Sequence, residues 1–142
     1  LSKAVLKEIF RLSQALSDEI EAHLDVEESV VFPYILDLER ALRENTACIA
    51  PEVGRVESPI RKIAQQHAQA STLLKEIRAL TNDYKIPANA SAELHAWYSL
   101  LKEFDADLHL HIHLENNILF PRAVALESEL LDRKGYTTIW FG

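Results

Sequence analysis

Apolar residues recur three or four positions apart over most of the chain, the spacing of one helix face. Ile9, Leu12, Leu16, Ile20, His23, Glu27 and Val30 mark the first stripe, on a helical stretch predicted from residue 2 to about 44 with Ser2 as its cap. Pro33 lies inside that run, where a missing N–H predicts a kink or a break. Residues 45–57, with Asn45, Pro51 and Gly54, read as a loop. A second helix is predicted from Ser58-Pro59 to about Asp83, burying Ile60, Ile63, Ala64, His67, Ala70, Leu74 and Ile77. After a turn at residues 82–89, a third opens near Ser91, with Glu93 in its first turn, and runs to about Arg133 with a kink at Pro121. Its stripe reads Trp97, Leu100, Leu101, Phe104, Leu108, His111, Glu115 and Ile118. Gly135 is the expected stop, and residues 136–142 form an aromatic tail suited to covering an apolar groove. The pattern predicts an all-α chain of three long helices, folded as one domain over residues 1–142.

Charged groups interrupt the stripes in a repeated way. HLDVEESVVFP at 23–33 and HIHLENNILFP at 111–121 both fit H-x-x-x-E-x-x-x-x-F-P without a gap. Side chains four apart on a helix lie one above the other, so each copy aims an imidazole and a carboxylate the same way. A lone histidine on an apolar stripe is ordinarily a core residue with satisfied nitrogens, and His67 taken singly reads so. A carboxylate there is costly unless paired or metal-bound. Arg122, two turns past Glu115, is the best ionic partner on offer. Three histidines and two glutamates, four of them in duplicated spacing, point instead to a metal site: His23, Glu27, His67, His111 and Glu115. Nitrogen and carboxylate donors without thiolate suit a binuclear non-haem iron centre, with zinc the chief alternative on ligand type. His109 and His113 point away from His111 and read as surface or supporting residues, and His95 as solvent-facing.

Composition limits the rest. A formal charge of −7 over 142 residues argues against sequence-independent binding to nucleic acid. No apolar run is long enough to span a membrane. The single cysteine, Cys48, has no internal partner, and with no visible secretion signal a cytoplasmic, reducing compartment is expected. A glycine-rich phosphate loop is absent, and Cys48 lacks the neighbours of a nucleophile.

The paired H-x-x-x-E motifs running into Phe-Pro resemble the hemerythrin-like domain. HIHLENNILFPRA at 111–123, SPIRKIAQQH at 58–67 and EIRAL at 76–80 resemble the bacterial di-iron iron–sulfur cluster repair proteins more specifically. The resemblance reaches about residue 131. It implies an up-and-down helical bundle and a non-haem di-iron centre in which Glu27 and Glu115 bridge and His23, His67 and His111 complete the set. It also implies repair of iron–sulfur clusters damaged by nitric oxide or oxidative stress, with damaged iron–sulfur proteins or small diatomic ligands as partners. A dioxygen carrier or sensor without turnover is the alternative. The sequence departs from the family in two respects. The family has a further helix, with two more histidine ligands, before Leu1, and a small cysteine-bearing N-terminal domain. Gln66 stands where the family usually has an acidic residue. The expectation is therefore a truncated chain with five ligands instead of seven, one open groove, and either a missing segment or a second copy filling it in a homodimer.

Overall fold

The computed structural model describes residues 1–49, 55–133 and 136–137. Five α-helices follow one another: α1 (Lys3–Val26), α2 (Phe32–Glu44), α3 (Glu57–Leu80), α4 (Ala92–Leu114) and α5 (Phe120–Asp132). α1 passes into α2, and α4 into α5, through five-residue π-turns at Glu27–Val31 and Glu115–Leu119. Three continuous helical stretches result, as the periodicity predicts. The caps are local. Ser2 Oγ accepts the Val5 N–H at 3.2 Å, and Ser91 Oγ accepts the Leu94 N–H at 3.1 Å. Asn45, at φ 54°, ends α2 in the left-handed conformation that asparagine tolerates. The Ser58 N-cap shifts slightly, since α3 already begins at Glu57.

Neither proline ends the helical run. Pro33 and Pro121 each follow the π-turn by one residue, and the backbone around them keeps right-handed helical angles. A wider turn absorbs the missing donor where an α-turn would break. Beyond the loop prediction, Cys48–Ile49 (β1) pairs in parallel with Tyr136–Thr137 (β2), a short bridge that periodicity does not signal. Pro51 and Gly54, Gly135 and residues 138–142 lie outside the described residues.

Contacts divide the chain into two compact units. The first holds Leu1–Glu21 and Gln66–His113. Its core is Ile9, Leu12 and Leu16 from α1, Ala70, Leu74 and Ile77 from α3, Tyr98, Leu101 and Leu108 from α4, and Tyr84 from the connecting turn. The second holds Ala22–Gln65 and Leu114–Gly142, and packs Val31, Tyr34, Ile35, Leu38, Ala41, Cys48, Val56, Ile63, Phe120, Ala123 and Leu130.

Each stripe needs some correction, and in α3 the expected core residue Ala64 is exposed. In α4, Leu100 is 64% exposed and Phe104 38%, while Tyr98 and Asp105 are buried. The helix is apolar on more than one side, so spacing alone selects the wrong edge. An apolar groove of about 240 Å³, lined by Ser13, Leu16, Ser17, Ile20, Glu21, Leu101 and Phe104, opens within the first unit. After each motif glutamate the buried position also moves. Val31 is fully buried where Val30 was expected, and Ile118 is 56% exposed while Phe120 is buried. Past Glu115 the π-turn is the reason, since it adds a residue to the turn; past Glu27 the buried residue is simply four positions on, at Val31.

A histidine and glutamate cluster

α1 carries His23 at its last turn and delivers Glu27 to the first position of the π-turn; α4 does the same with His111 and Glu115. In the second unit, His23 Nε2 lies 2.8 Å from Glu27 Oε1 and 3.5 Å from Glu115 Oε1. In the first unit, the rings of His67 and His111 meet edge to face, with centroids 6.2 Å apart at 87°. All five predicted residues come together: one ligand atom from each of His23, Glu27, His67, His111 and Glu115 lies within 4.8 Å of the others. Four are buried and His111 is half-buried.

The electrostatics are those of charge concentrated out of water. Burial disfavours the His23 imidazolium, but hydrogen bonds and the charges of Glu115 and Glu27 outweigh it and raise His23 to about 9. Burial raises the Glu27 carboxyl, His23 opposes that, and Glu115 reinforces it. Two acids held this close cannot both ionise cheaply beside one imidazolium, and a divalent cation relieves that conflict. The donor set fits such an ion: three imidazole nitrogens and two carboxylates, all borne on helices.

The other candidates fall away. Arg122 is exposed while Glu115 is buried, so the ionic alternative lacks its geometry. His95 and His113 are exposed. His109 lies at the surface, 48% exposed in its side chain, with Nδ1 2.7 Å from Asp105 Oδ1. Cys48 is buried, and its thiol is pushed up by burial and by the charges of Asp37 and Glu127. Sequence reasoning missed the two π-turns; the Phe-Pro repeated at one offset from each glutamate was the available signal.

A family model described as the hemerythrin HHE cation binding domain matches residues 1–123. The chain belongs to the hemerythrin HHE family. Its all-α, hemerythrin-like bundle fold follows from that membership. A protein of Haemophilus influenzae named probable iron-sulfur cluster repair protein is 38% identical over 106 residues, covering 75% of this chain and 42% of the relative. Relatives named iron-sulfur cluster repair protein YtfE are 36% identical in Dickeya chrysanthemi, over 77% of this chain and 43% of the relative, and 32% identical in Escherichia coli O81, over 87% and 50%. The chain thus spans about half the length of the curated relatives it matches. Among the described residues, no helix is long and apolar enough to cross a membrane.

Proposed function

We propose that this chain is the metal-binding part of an iron–sulfur cluster repair protein and that its metal is a non-haem di-iron centre. The observation that carries the reading is the convergence of five ligand atoms within 4.8 Å in a hemerythrin HHE chain. His23, His67 and His111 donate imidazole nitrogen. Glu27 and Glu115 would supply the carboxylates, and their two negative charges would offset half the charge of two divalent ions. Bound iron supplies reversible one-electron chemistry and affinity for small diatomic ligands such as nitric oxide. The chain holds the donors on helices, keeps bulk water from four of the five, and concentrates negative charge where the cations sit. The repair names of the matched relatives favour iron–sulfur cluster repair over a dioxygen carrier, and damage by nitric oxide or oxidation is the form of damage this reading takes. Damaged iron–sulfur proteins are the partners this reading implies, and the cytoplasm is its compartment.

The test is iron content per chain on anaerobically purified protein, with the absorption spectrum, for the parent and for His67→Ala and Glu115→Ala. Stoichiometric iron in the parent, lost in both variants, supports the reading. A parent that keeps zinc over iron, or variants that keep their iron, overturn it.

A further inference from the structure

The duplicated motif extends past the ligands, and the shared remainder has no part in ligation. Each copy ends in Phe-Pro, and each folds alike. The π-turn opens on the glutamate, runs five residues, and closes with the phenylalanine N–H donating to the glutamate's own carbonyl: Phe32 to Glu27, Phe120 to Glu115. The next residue is proline in both, Pro33 and Pro121. An α-helix would carry a bond from residue 33 to the carbonyl of residue 29, and from 121 to 117. Proline has no N–H to make either one. The local sequences differ, EESVV in one copy and ENNIL in the other. They share the glutamate at the start and Phe-Pro at the end. Buried positions along the second copy step five residues, from Glu115 to Phe120, and then resume with Ala123, Glu127 and Leu130; along the first they step four, from Glu27 to Val31, and then resume with Tyr34, Leu38 and Ala41. An added residue rotates the downstream helix by about 100° relative to the ligand-bearing one. π-turns are rare in helices and concentrate at functional sites.

We propose that Pro33 and Pro121 are positioning residues for the metal centre. By withholding a donor they keep each turn in the wide register, and that register sets the direction in which Glu27 and Glu115 leave the backbone toward His23. The proposal rests on the metal-centre reading above.

Pro33→Ala, Pro121→Ala and the double variant test it, with Pro87→Ala in the α3–α4 turn as control. Cobalt(II) is the probe, because its absorption bands report coordination geometry independently of activity. Alanine restores the helical donor and is the better helix former, so the metal-free variants should unfold at the same or higher temperature than the parent. Cobalt affinity should nonetheless fall about 10–100-fold, the usual effect of disturbing residues that orient ligands, with shifted bands. A purely structural role would move stability and affinity together. A variant too unstable to purify would contradict the expected gain in helix stability and overturn the proposal. So would single and double variants that bind cobalt with the parent's affinity and spectrum. A parent chain that binds no cobalt overturns the metal-centre reading and the proposal with it, whereas failure in the variants alone leaves that reading intact.

Discussion

Asp105 is a buried carboxylate that the hydrophobic pattern gives no reason to expect, and its partners make its removal measurable. It accepts the Tyr84 hydroxyl at 2.5 Å, lies 3.0 Å from Arg78 Nε, and lies 2.7 Å from His109 Nδ1. His109 is 48% exposed in its side chain, so water replaces Asp105 there at small cost, whereas Arg78, 38% exposed in its side chain, has its Nε buried and depends more on Asp105. Tyr84 cannot be rescued that way, being 7% exposed. Burial, then the hydrogen bond to Asp105, pushes its phenol well above the usual range, so it remains a donor at neutral pH. The turn it sits in is also demanding: Asn82, Asp83 and Tyr84 are consecutive left-handed residues at φ 50°, 58° and 61°. Thr81 Oγ1 accepts the Tyr84 N–H at 3.0 Å, and the Asp105 bond fastens the other end of the same residue.

Losing one hydrogen bond to a charged group costs about 1.5–3 kcal/mol, and orphaning a buried hydroxyl about 1–3. Tyr84→Phe should therefore cost about 2 kcal/mol and Asp105→Ala about 3. Because the two share one interaction, the double variant should cost about 3.5 kcal/mol rather than the additive 5, a coupling of about 1.5. Urea unfolding followed by far-UV circular dichroism on metal-free protein measures all four species, with equal m-values as the check on two-state behaviour. A coupling below about 0.5 kcal/mol would refute the claim that this bond, and not generic packing, fastens the turn.

The titratable groups give two further expected outcomes. The Cys48 thiol, buried and pushed up by burial and by Asp37 and Glu127, should react with a disulfide reagent at pH 7.5 at least about tenfold slower than free cysteine, and at the free rate in urea; a fast native reaction would show that the side chain is accessible. In metal-free protein, His23 is raised from 6.5 to about 9, so its contribution to stability is complete below about pH 6.5 and is lost as pH rises through about 9; thermal unfolding from pH 6 to 10 should show that decline in the parent, and His23→Gln should flatten it. An equally steep decline in the variant would assign the effect to other groups.

Much of this protein follows from sequence because helices are local objects. The three helical stretches, the Ser2 and Ser91 caps and the inward aim of each His–Glu pair depend on residues within a turn or two of one another. The duplicated spacing carries most of the candidate metal site, since i and i+4 on one helix leave little freedom. Three things depended on the tertiary structure. Which edge of α4 is buried could not be read from spacing, because that helix is apolar on several sides; packing buried Tyr98 and Asp105 and left Leu100 outside. Where the buried face resumes after the wide turns at Glu27 and Glu115, each followed by Phe-Pro, was settled only by packing, which buries Val31 in one copy and Phe120 in the other. His67 stands 40 residues from Glu27 and 44 from His111 along the chain, and only folding brought its imidazole among the other four ligand atoms.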